Sequence, residues 1–171
     1  MRTLTVLAVA AVLVATPRAP AQDMVKPGPE HEMLKKREGN WDTTLKAEGM
    51  SFKGTVAFKM ELGGLWLIGS MDTDLGGQKF QARSLDTYDV TKKKYVSYFF
   101  ENMSTTPMIM EGTWDAAKKT LTMTGQGPGM DGKMTTWRSV SMIPDDNTVE
   151  MSMFVGDAKE PMFTVTYKRR K

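Results

Sequence analysis

Few residues in this chain have the chemistry of a catalyst or a metal ligand. It has one histidine, His31, and no cysteine. Thiol nucleophiles, cysteine zinc sites and multi-histidine metal centres are therefore excluded. It contains no G-x-S-x-G elbow, no H-E-x-x-H helix and no glycine-rich phosphate loop. The carboxylate pairs Asp72/Asp74 and Asp145/Asp146 stand in turn-like polar surroundings, and nothing couples them as acid and base. The expectation is a protein that is not an enzyme, with no cofactor and no metal. His31 reads as a helix residue that hydrogen-bonds near one end of the fold, since no partner cluster surrounds it.

Methionine is the unusual component, with 16 in 171 residues. Met108/Met110 and Met151/Met153 form M-x-M pairs. Thioethers suit Cu(I), but x+2 spacing on a strand places both side chains on one face, as in an adaptable apolar lining. Met60, Met71, Met123, Met134, Met142 and Met162 stand in similar contexts. Arg138 alternates with Met134, Thr136, Val140 and Met142; if it faces inward it is a candidate anchor for an acidic head group, since a buried arginine needs a partner, but an outward side chain or an internal ion pair is the favoured reading. The expected cavity lining is Phe58, Met60, Met108, Met110, Met123, Arg138, Met151 and Met153. Among the aromatics, Tyr98 and Phe100 share one strand face, Tyr95 and Phe99 the other.

These residues must be positioned by strands. Glu30 to Glu38 reads as about two helical turns, with acids early, Lys35, Lys36 and Arg37 late, and Gly39 as its stop. From Trp41 the apolar period becomes two. Phe52, Gly54, Val56, Phe58, Met60 and Leu62 fall on one face and Lys53, Thr55, Ala57, Lys59 and Glu61 on the other. Further strands are expected over Leu65–Leu75, Gln78–Asp89, Lys94–Asn102, Pro107–Asp115, Thr120–Gln126, Lys133–Ile143, Thr148–Val155 and Pro161–Arg169. Counting Trp41–Glu48 and Phe52–Leu62, that makes ten, joined by short Gly, Pro, Asp and Asn turns with no room for crossover helices. An antiparallel meander of this length hides its edges by closing. The fold class expected is all-β, a ten-stranded antiparallel up-and-down barrel with a short N-terminal helix; a β-sandwich is the alternative.

The chain opens with Met1-Arg2, a small-apolar run from Leu4 to Ala15, and Ala19-Pro20-Ala21. That is the order of a cleaved secretory signal, and the run falls short of the roughly 20 residues that span a bilayer. The expected organisation is a signal peptide over 1–21, a linker over 22–29 and one domain over 30–171, periplasmic or secreted, with no stable membrane insertion. Arg2 and Arg18 leave with the signal, which removes two charges from a formal net charge of +3. So balanced a chain is not a nucleic-acid binder by charge. A monomer or weak dimer is expected.

Gly39-x-Trp41 after a short helix resembles the opening of the calycin barrels, the lipocalins and fatty-acid-binding proteins. The resemblance implies that Trp41 packs at the closed end of the barrel under a basic residue of the last strand, here Arg169. Pro29-Glu30-His31-x-x-Leu34, Gly39-x-Trp41, Leu62-Gly63-Gly64, Tyr88-Asp89, Lys94-Tyr95-Val96, Gly112 with Trp114-Asp115, Leu121-Thr122 and Tyr167-Lys168-Arg169 resemble, over residues 29–169, the bacterial domain-of-unknown-function family numbered 1579. Nitrobindin-type haem barrels hold iron through a late histidine, and this chain departs there, having none after His31. The functional expectation is a barrel that binds a small apolar or amphipathic molecule on Met-lined faces away from Trp41. The alternative is a structural or protein-interaction barrel with a filled core.

Overall fold

The computed structural model describes residues 25–129 and 131–171. The expected signal peptide and the start of the linker lie outside the described residues. Helix α1 is one short segment, His31–Lys35. It ends earlier than the charge pattern predicts. The amides of Arg37 and Glu38 fold back onto the carbonyls of Leu34 and Lys35 as a turn. Gly39 is consequently not its cap. It opens the first strand at φ +127°, and a Cβ there would stand 2.7 Å from a guanidinium nitrogen of Arg169. Both the backbone and the neighbour therefore call for glycine.

Ten strands follow: β1 Gly39–Ala47, β2 Met50–Glu61, β3 Trp66–Leu75, β4 Gln78–Asp89, β5 Lys94–Glu101, β6 Met108–Asp115, β7 Thr120–Pro128, β8 Met134–Asp145, β9 Thr148–Val155 and β10 Phe163–Arg169. A 3-10 turn, Leu62–Gly64, separates β2 from β3. Each strand pairs antiparallel with its sequence neighbours, and β1 pairs with β10, so the sheet is a closed barrel. In the closing register Trp41 lies opposite Arg169 and Leu45 opposite Val165. Closure leaves no unpaired sheet edge to recruit another chain.

Alternation sorts the side chains. Trp41, Thr43, Val56, Phe58, Leu67, Met110, Leu121, Met123, Val149, Met153, Val165 and Tyr167 are buried in the lumen. Each large apolar side chain taken from water contributes about 1.5–3 kcal/mol, and in a cysteine-free chain this core carries the fold. On β8 the inward set is Trp137, Ser139 and Ser141, the first two buried. Met134, Arg138 and Met142 therefore face outward, against the expectation, and Met134 and Met142 are 56% and 48% exposed. Both faces of β8 carry apolar residues, so alternation alone does not choose between them. The bulk of Trp137 takes the inside. No helix among the described residues is long and apolar enough to cross a membrane.

Candidate functional site at the two ends of the lumen

One end of the barrel is sealed. Trp41 is 2% exposed, and its indole N–H donates to the carbonyl of Arg37, 2.9 Å away. The guanidinium of Arg169 lies 4.2 Å from the indole centroid and donates to the carbonyls of Lys36, Glu38 and Asp146. It thus ties the post-helix turn and the β8–β9 turn to the last strand while resting on the tryptophan face. Helix α1 covers the same end. Leu34 is 1% exposed, and His31 is buried with its Nδ1 accepting the Gly28 amide at 3.1 Å. Tyr95 donates to the carbonyl of Glu30 at 3.0 Å. Burial pushes its phenol up to about 12, and the carboxylate of Glu30 adds to the effect.

The other end lacks such a cover. Leu45, Met71, Met108, Met151, Val155 and Phe163 alternate inward and pack on the core, yet are only half-buried. A hollow of about 460 Å³ opens at this end, between the β1–β2 turn and the segment leading into β10, with Met50, Pro161, Met162 and Phe163 in its wall. A second, polar hollow of about 340 Å³ lies by Lys53, Asp72, Asp74 and Lys79.

The expected lining residues divide between these zones. Met110 and Met123 sit deep in the lumen, and Met123 and Met153 flank Ser139 in one register row. Met108 and Met151 are half-buried. Phe58 and Met60 belong to the half nearer the helix, where the amide of Met60 meets the carboxylate of Glu38. Arg138 is the exception. It stands outside the barrel, 3.8 Å over the ring of Phe154, and donates to the carbonyl of Ala158. A planar guanidinium stacked on an outer aromatic is satisfied without entering the lumen, so it anchors no lumen ligand.

Charged groups that do enter the lumen are ones the alternation reading passed over. Arg37, in the turn after α1, reaches over the ring of Phe58, 4.8 Å from its centroid. Its Nε is buried without a hydrogen-bond partner. Asp86, on the inward face of β4, is 8% exposed and accepts from the Ser84 hydroxyl at 3.0 Å. Tyr167 on β10 lies 6.4 Å from Phe58, ring to ring. Burial raises its phenol, with Arg37 opposing the rise and Asp86 adding to it. Gly69 fixes the distances: a Cβ there would stand 2.4 Å from the Ser84 hydroxyl and 2.7 Å from the Phe58 ring. Asp86 and Tyr167 were legible as polar interruptions of inward apolar faces. Arg37 lies in a turn with no periodicity to read. No group of three or more histidine, aspartate or glutamate side chains fit to hold a metal occurs among the described residues.

The profile of one protein family, described as "Protein of unknown function (DUF1579)", matches residues 26–169. No curated protein matches the chain. Among solved structures, Rv2717c from M. tuberculosis superimposes with a TM-score of 0.60 at 14% identity, over 84% of this chain and 99% of that one. A redesigned beta barrel superimposes with a TM-score of 0.46 at 11% identity, over 81% of this chain and 95% of that one. At such identities the first likeness speaks for the barrel fold alone.

Proposed function

This chain belongs to the DUF1579 family of proteins of unknown function, so its role has to be read from its own geometry, and we propose that it is an exported carrier of a small apolar or amphipathic molecule. The observation that supports this is the asymmetry of the lumen. One end is closed by α1, Trp41 and Arg169. The other presents inward-facing Leu45, Met71, Met108, Met151 and Phe163 to solvent. A barrel that served only as a scaffold would gain by burying these side chains, at about 25 cal/mol per Å². Unbranched thioethers adapt to irregular ligands at small cost, and a small barrel holds one such molecule. The signal-like segment over residues 1–21 supports export.

The test is to recover the protein from its native host, read its N-terminus, and extract it under denaturing conditions for mass spectrometry of small molecules. The carrier reading expects a chain beginning at Gln22 and a stoichiometric apolar or amphipathic compound. An empty barrel that also fails to take up an environment-sensitive apolar dye overturns it. A second reading, a protein-interaction barrel, is favoured by an outer apolar row. Ile68, Leu85, Tyr98 and Ile109 are successive cross-strand neighbours on β3 to β6. Phe100 adjoins them and is 43% exposed. Recovery of a partner protein with no small molecule is the result that reading expects.

A further inference from the structure

The buried polar cluster at the sealed end is unexplained by packing. Arg37 is half-buried, and a buried N–H group needs an acceptor. Arg37 has an Nε that finds none, and among the described residues it forms no ion pair. Asp86 faces the same space. Of the hydrogen bonds found there, its carboxylate accepts one, from Ser84. Phe58 and Ser84 meet over Gly69, Arg37 covers Phe58, and Tyr167 borders Phe58. Donor and acceptor thus share one small region without closing on each other.

We propose that Arg37 and Asp86, with Ser84 and Tyr167, form a head-group site for a neutral amphipathic ligand whose polar end carries both an acceptor and a donor, of the primary-amide class. The inference rests on the carrier reading and says which part of the ligand goes deepest. The carbonyl oxygen accepts from the Arg37 fork and the Tyr167 hydroxyl. The amide N–H donates to the Asp86 carboxylate. The apolar chain then runs toward the Met-lined mouth. Charge decides the class. Arg37 and Asp86 already balance, so a neutral head satisfies both, whereas a carboxylate would be brought beside the buried carboxylate of Asp86 in a medium where like charges repel strongly. Tyr167, a phenol that ordinarily titrates near 10, serves as a donor without adding charge.

The experiment titrates the full mature chain with octanamide and with octanoate, following heat of binding and tryptophan fluorescence. It uses the native protein and the variants Arg37→Met, Arg37→Lys and Asp86→Asn. Native protein should bind octanamide at least tenfold more tightly than octanoate. Arg37→Met should lose tenfold or more for octanamide, and it keeps volume over Phe58 while removing an uncompensated charge, so it should fold. If it does not fold, Arg37→Lys, which keeps the charge without the planar fork, should lose part of the affinity. Asp86→Asn should narrow the preference by improving octanoate binding. Equal binding of both probes, unmoved by these substitutions, overturns the head-group site and leaves the carrier reading standing. Tighter binding of octanoate by native protein overturns the neutral class. Failure of both probes to bind counts against the carrier reading as well as the site.

Discussion

At the scale of single residues, Arg169 does more than cover an indole. Its fork joins three carbonyls from two turns while its plane rests on Trp41. Arg169→Ala should cost about 2–3 kcal/mol, summing an indole contact and charge-assisted hydrogen bonds. For a domain of this size that lowers Tm by roughly 4–12 °C, read by thermal unfolding under far-UV circular dichroism. Arg169→Lys should recover only part of the loss, because an ammonium keeps the cation over the ring but cannot bridge the carbonyls. A substitution that leaves Tm unchanged would remove Arg169 from the set that holds the end shut. This contact was legible only through the resemblance of Gly39-x-Trp41 and the terminal arginine to the calycin barrels. Arg138 was not. Its strand is apolar on both faces, and only the burial of Trp137 decides which way it turns. Arg37 was not legible either, because a turn residue takes its direction from the elements it joins.

At the scale of elements, β2, β3 and β4 press together around a missing side chain. Gly69 lies opposite Phe58 on β2 and Ser84 on β4, and both fill the space a Cβ would occupy. Gly69→Ala should destabilise the barrel by about 1–3 kcal/mol through overpacking. The cost should shrink in a Phe58→Leu background, a coupling that a double-mutant cycle in urea would measure. Additive costs would mean that the strands move apart freely. The strands themselves were readable to within two or three residues from alternation and Gly/Pro punctuation; Gln78–Asp89 and Thr148–Val155 coincide with the observed β4 and β9. The helix was read too long. Lys36 and Arg37 look like the charged end of a helix, but Arg169 and Trp41 take the carbonyls of Lys36 and Arg37 instead, so the chain turns early.

At the scale of the whole molecule, stability should fall on the alkaline side. The Tyr95 phenol is raised to about 12 and that of Tyr167 is raised as well, both first by burial. An unfolded tyrosine titrates near 10. A raised folded value means that the stabilisation is fully present below about pH 10 and is lost as pH climbs through about 12, because the unfolded chain gives up its proton first. Urea midpoints should therefore decline steeply between pH 10 and 12, and Tyr95→Phe should flatten that decline. An equal slope in the variant would assign the effect elsewhere. The seam between β1 and β10 has a further consequence. Every other pair of neighbouring strands is consecutive in sequence, whereas the seam ties Glu38 to Arg169 across 131 positions. Hairpins can zip as they emerge from a ribosome, but the cylinder cannot shut until β10 is delivered, and the closing step carries the entropy of the whole loop. Until then Trp41 and the β1 edge stay uncovered. A polypeptide in that condition is threadable and protease-sensitive, and the docking of β10 on β1 is the event that ends both states.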